Sequence, residues 1–109
     1  MIQASDVKWS KAEKKVAQGA FDKAHERELN ALMAEVRERG GAIAAPEDMW
    51  RLHDFLSAKR HDIDGKYDYR YSNLIFVFAR LVREGWLQLD ELDGLDADKR
   101  TKVGALARM

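Results

Sequence analysis

The sequence predicts an all-α fold organised around one long N-terminal helix, and three observations carry that prediction. Strong helix formers dominate and a single proline occurs in 109 residues, so little interrupts helical backbone. Apolar residues recur at helical spacing through most of the chain. Start and stop signals punctuate it at intervals: "SKAE" at 10–13, Gly40-Gly41, Pro46, Gly65 and Gly85.

The first helix opens with Ser10 and Glu13, the S-x-x-E form of a capping box, and runs to the paired glycines 40–41. Its apolar positions are sparse at first (Val16, Ala20, Phe21, Ala24) and firmer at Leu29, Leu32, Met33 and Val36. Glu26, Glu28, Glu35 and Glu38 among arginines suit a solvated outer face. About 31 residues of helix span roughly 46 Å, whereas a compact domain of this size has a diameter of roughly 34 Å. Such a helix overhangs its own globule and offers its stripe to another chain, unless Gly19 and the weak early stretch break it.

The second helix begins at Pro46, with Glu47 and Asp48 at the positive end of its dipole, and should stop near Asp64 with Gly65 behind the last turn. "KYDYRYS" alternates tyrosines with polar residues, and on period alone it fits a strand. The preferred reading is a third helix over about 69–84, because Leu74, Val77, Phe78, Leu81 and Val82 share one face and Gly85 follows. "LDEL" gives a short helical turn near 89–93. Asp96 then caps a last helix to about 107, with Val103 and Leu106 inward and Lys102 to one side. One helical domain over residues 1–109 is expected.

Composition narrows the function. Lys plus Arg and Asp plus Glu balance at 19 each, so the basic excess expected of a nucleic-acid binder or a polybasic membrane anchor is missing. No cysteine occurs, which removes thiolate catalysis and zinc–thiolate sites. The N-terminus is polar, no apolar run approaches the ~18 residues of a membrane span, and a cytoplasmic protein is expected. No phosphate-cradling or dinucleotide loop is present, no cofactor is implied, and an enzyme is not expected.

One helix carries an anomaly. On "MWRLHDFLSAKRHD" (49–62), Met49, Leu52, Phe55, Leu56 and Ile63 make one apolar stripe. Trp50 lies about 150° from its middle, beside His53, Asp54, Ser57 and His61, with Arg60 at the edge. Imidazoles and carboxylates suggest metal, but His53 and His61 stand roughly 12 Å apart on one helix. Ser57 near two histidines lacks a nucleophile elbow or an oxyanion hole. Two readings of Trp50 stand. A helix covered on both sides buries it within one chain. Alternatively it belongs to a self-association surface, where Trp and Arg are enriched and Asp54 and Arg60 pair across a two-fold contact. Phe76 falls roughly opposite the third helix's apolar face, a second outward aromatic.

"WRLHDFLSAKRHDIDGKYDYRYSNLIFVFARLVREGW" (50–86) resembles the fluorescence recovery protein family of cyanobacteria, and the likeness extends to "WSKAE", "AFDKAHEREL" and "KVGALARM". The resemblance implies an all-helical homodimer with an extended stalk over about 1–64 and a small head over about 65–109. It implies a non-enzymatic regulator that binds the photoactivated red orange carotenoid protein, mainly its C-terminal domain. Such a regulator accelerates reversion to the orange form and detachment from the phycobilisome, ending non-photochemical quenching. Trp50, His53, Asp54 and Arg60 match family positions of the dimer contact and activity, and Phe76 and Lys102 match positions of partner binding. Location is then cytoplasmic and peripheral at the thylakoid membrane with the phycobilisomes. Relatives also occur in non-photosynthetic bacteria, where the same helical dimer would serve a different client.

Overall fold

The computed structural model describes residues 8–109, so residues 1–7 of the expected stalk lie outside it. The element order is α1 (Lys11–Gly41), α2 (Pro46–Lys66), α3 (Leu74–Glu84), a 3-10 turn (Leu89–Leu92) and α4 (Ala97–Ala107), with no strand among the described residues.

The capping box forms as the sequence predicts. Glu13 N donates to Ser10 Oγ at 3.1 Å and Ser10 N donates to Glu13 Oε1 at 3.0 Å, satisfying two of the orphan donors at the start of α1. From there α1 runs for 31 residues straight through Gly19. The consequence is an elongated molecule, 55 × 24 × 23 Å with a radius of gyration of 16.9 Å, against about 13 Å for a compact domain of this size. The expected overhang is real.

α1 divides its work between two neighbours. Its first half supplies Ala17, Ala20 and Ala24 to a single apolar core with Leu74, Phe78 and Leu81 of α3, Leu92 of the turn, Leu95 and Val103 of α4. Its second half pairs with α2 as a helical hairpin. At the end of α3, Gly85 adopts φ 86°, a left-handed conformation that costs glycine little. Trp86 N then reaches back to Leu81 O at 3.0 Å, a Schellman closure that turns the chain toward α4. Gly94 is a close approach: a Cβ there would overlap Val16 Cγ2 on α1.

Four sequence expectations need correction. Residues 67–73 are not helical, and α3 starts at Leu74 rather than 69. Instead the tyrosines lie across α1, edge-on to Phe21 from Tyr67 (5.4 Å between centroids) and Tyr69 (4.8 Å), while Tyr71 meets Trp9 (5.8 Å). Asp68 holds the bend by accepting from Arg70 and from Asn73 Nδ2 at 2.7 Å. Aromatic packing and a side-chain-stapled turn outweigh helix propensity here. Gly65 lies inside α2, which continues to Lys66 because that side chain is drawn into a buried ion pair. Its partner is Glu28, expected on a solvated face and found 5 % exposed. Asp96 begins α4 but makes no side-chain cap; its backbone N–H donates to Glu13 Oε2 at 3.0 Å instead.

Candidate interaction surfaces

The free end of the hairpin is closed by local chemistry. Asp48 Oδ2 accepts from the backbone N–H groups of Ala44 (3.0 Å) and Ala45 (3.1 Å), and those two bonds hold its carboxyl below the usual range. The Arg39 guanidinium, fixed by Glu35 at 2.8–3.0 Å, lies 3.8 Å over the Phe55 ring. These contacts leave the flank of the hairpin untouched.

On that flank Trp50 is 59 % exposed. No segment among the described residues covers it, which argues against the first of the two readings offered by the sequence. Its ring meets His53 edge-on at 6.2 Å, and His53 Nδ1 lies 3.3 Å from Asp54 Oδ1. Arg60 Nε lies 3.7 Å from Asp64 Oδ2, one turn along α2. Within one chain, then, Asp54 and Arg60 each find an exposed neighbour other than one another, and both heads stand in water. Ser57 and His61 are exposed on the same face. Among the described residues no three His, Cys, Asp or Glu side chains converge as a metal site.

The surface is larger than the sequence indicated. Of the stripe Met49, Leu52, Phe55, Leu56 and Ile63, only Ile63 is buried, while Met49 and Leu56 are exposed. Beside them Leu29, Leu32, Met33 and Val36 of α1 line an open groove with Arg37 and Leu56. Helical phase explains this. The row Ala17–Ala20–Ala24 points into the core, and at about 100° per residue Met33 falls on the opposite side. That phase could be read from the sequence once the alanines are recognised as the inward face. Without it, the sequence has the overhanging helix offer its stripe to another chain but does not fix which face that stripe occupies. An uncovered apolar row on a protruding hairpin is what a second chain would bury.

The second surface lies on the C-terminal helices. Phe76 is 54 % exposed on α3, although Leu74, Ile75, Val77, Phe78, Ala79 and Leu81 around it are buried. Lys102 on α4 is half-exposed and its ammonium lies 3.3 Å from Asp98. Such a surface pair dissociates at little cost, leaving the lysine available to a partner. Phe76 and Trp50 occupy different elements, one on the closed core and one on the open hairpin.

Comparison with known proteins agrees with this architecture along the whole chain. A family model described as photoprotection regulator fluorescence recovery protein matches residues 9–107. The chain is 52 % identical over 109 residues, all of both sequences, to the Fluorescence recovery protein of Synechocystis sp. PCC 6803. It superposes on the solved structure of the Fremyella diplosiphon Fluorescence Recovery Protein with a TM-score of 0.91 at 64 % identity, covering 94 % of this chain and all of that one. The Synechocystis structure gives a TM-score of 0.90 at 54 % identity with the same coverage.

Proposed function

Because the chain belongs to the fluorescence recovery protein family, whose members are regulators rather than enzymes, we propose that it ends photoprotective quenching by acting on the orange carotenoid protein. It binds the photoactivated red form, mainly through that protein's C-terminal domain. It then speeds return to the orange form and detachment from the phycobilisome. The work is done by a homodimer in the cytoplasm, at the thylakoid surface where phycobilisomes sit.

Two separate surfaces support this reading. Trp50, His53, Asp54 and Arg60 are exposed on α2, and Met33, Met49 and Leu56 are exposed on the same hairpin, so a two-fold partner laid along it has both an aromatic and an apolar row to bury. Across that seam Arg60 has a carboxylate fork to meet, since Asp54 of the second copy is otherwise unpaired by any strong cation. Phe76 on α3 and Lys102 on α4 supply the client site, one an exposed aromatic anchor and the other an available cation.

No bond chemistry is needed. A binder that prefers the transition state for domain closure over the open red state accelerates relaxation by the differential-binding logic of catalysis. Holding one receptor domain also raises the effective concentration of the other. A tenfold gain in rate requires about 1.4 kcal/mol of preference.

The observation that carries the proposal is the full-length kinship together with Trp50 and Phe76 exposed on separate faces. Red-to-orange recovery followed in darkness, with and without this protein, tests it. Faster recovery with catalytic amounts is expected; identical decay curves reject the assignment.

A further inference from the structure

The buried residues of α1 form one row: Glu13, Ala17, Ala20, Ala24 and Glu28. Three alanines make a smooth seat for the C-terminal helices, because a shift of one turn replaces one methyl by another. The two ends of the row differ sharply from its middle. The Glu13 carboxylate receives Lys99 Nζ at 2.9 and 3.0 Å and Asp96 N at 3.0 Å. The Glu28 carboxylate receives Lys66 Nζ at 2.7–2.8 Å and the Tyr67 hydroxyl at 2.8 Å. Lys66 also donates to Glu84 on α3 at 2.7 Å, and Arg80 ties Glu84 to Asp62 on α2. Both lysine side chains are almost wholly withdrawn from water, at 1 % and 6 % exposure.

From this arrangement we infer that the two buried Glu–Lys pairs act as a register lock on α1: Glu13 with Lys99 fixes where α4 sits, and Glu28 with Lys66 at the end of α2 fixes, through Glu84, where α3 sits. Buried ion pairs are seldom the most stable way to fill space, since apolar groups of similar volume often serve as well or better. Their distinctive property is intolerance of misalignment. Sliding α1 by one turn carries each carboxylate about 5.4 Å from its lysine and leaves charges buried without partners. The alanines themselves impose no comparable penalty, and the fit of Val16 over Gly94 adds an apolar stop beside them. A polar residue in a coiled-coil seam selects register by the same means. The half-buried Arg27–Glu91 pair crosses the same junction, but it borders water, so a shift returns its charges to solvent rather than burying them alone. Since α1 carries Met33 and α3 carries Phe76, the lock sets the spacing between the two surfaces, whatever client they serve. A one-turn shift is a known type of switching motion.

The absence of cysteine allows two spin labels, at Gln18→Cys on α1 and Arg83→Cys on α3, with labelled chain diluted into excess unlabelled chain. The distance distribution is measured in the parent and in a variant carrying Glu13→Gln, Lys99→Met, Glu28→Gln and Lys66→Met. Glutamine preserves the capping box and an acceptor for Tyr67, and methionine preserves chain length. Expected are full helicity and a distribution that broadens or gains a second population shifted by about 5 Å, while Arg27→Ala leaves the parent's single distance. A helical variant retaining that single distance overturns the lock. If the fourfold variant does not fold, each pair is replaced alone and read in the same way. Loss of helicity in both of those also overturns it, because the pairs would then be holding the fold together rather than choosing its register.

Discussion

The two halves of α1 meet opposite fates. Its first half, carrying only alanines and one valine among its early aliphatic side chains, is enclosed by α3, α4 and the tyrosine segment. Its second half carries Leu29, Leu32, Met33 and Val36 and, beyond Glu28, is met mainly by α2 among the described residues, and Met33 stays exposed. Intrinsic hydrophobicity therefore predicts burial poorly here; what matters is how many neighbours the rest of the chain can bring. The small side chains permit close approach of two helices, and several of the larger ones stay partly uncovered. The enclosed half carries the core, and the open half carries the surface proposed for self-association.

The sharpest way to break this contrast is to damage each half in turn. Phe78 is fully buried, and Phe78→Ala should cost about 3–5 kcal/mol of folding stability in denaturant titration. Trp50→Ala, read at dilutions where single chains prevail, should leave that midpoint unchanged and weaken only self-association. A comparable loss of folding stability at both positions would erase the distinction. Gly94→Val is next in size, because its side chain would enter the space of Val16; about 1–3 kcal/mol of destabilisation is expected from overpacking. An unshifted thermal midpoint would mean that the turn and α1 do not interlock as described.

Acid should loosen the enclosed half selectively. Burial alone would raise the Glu13 carboxyl, but the backbone N–H groups of Asp96 and Ser10, with Lys99, hold it at about 2 against an ordinary 4.5. Hydrogen bonds from Arg27 and from Gln88 N hold Glu91 at about 2 likewise. Both carboxyls release their protons more readily in the folded chain, so their stabilisation is complete above about pH 4.5 and is lost as pH falls toward 2. Thermal midpoints across that window should decline, and Glu13→Gln should flatten the decline. The smallest effect concerns the client surface. Phe76→Asp should leave helicity and assembly intact while reducing co-elution with the photoactivated receptor; undiminished co-elution would remove Phe76 from the contact.

Much of the fold was legible because its local signals are short-range. Ser10 with Glu13, Pro46 and Gly85 mark helix ends by chemistry that acts within one turn. The uncovered Trp50 was also visible, since helical phase alone sets it apart from Ile63. What escaped depends on distant partners. Glu28, Lys66 and Lys99 carry charge that a local reading assigns to solvent, and only the meeting of residues 13 with 99 and 28 with 66 makes their burial possible. The tyrosine segment follows the same rule, as its course is fixed by Phe21 and Trp9 rather than by its own propensity. Met33 and Leu56 were recognised as apolar, and that Met33 points away from the core follows from the phase that the alanine row supplies.

The central claim is that the open flank of the hairpin is built to be covered by a second copy of this chain. Mass by multi-angle light scattering at low micromolar concentration tests it, comparing the parent with Trp50→Glu and with Arg60→Ala. The account predicts twice the 12.5 kDa of one chain for the parent and a shift toward the single-chain mass in both variants, with helicity retained. A parent that elutes as a single chain, or variants that keep the doubled mass, would contradict it.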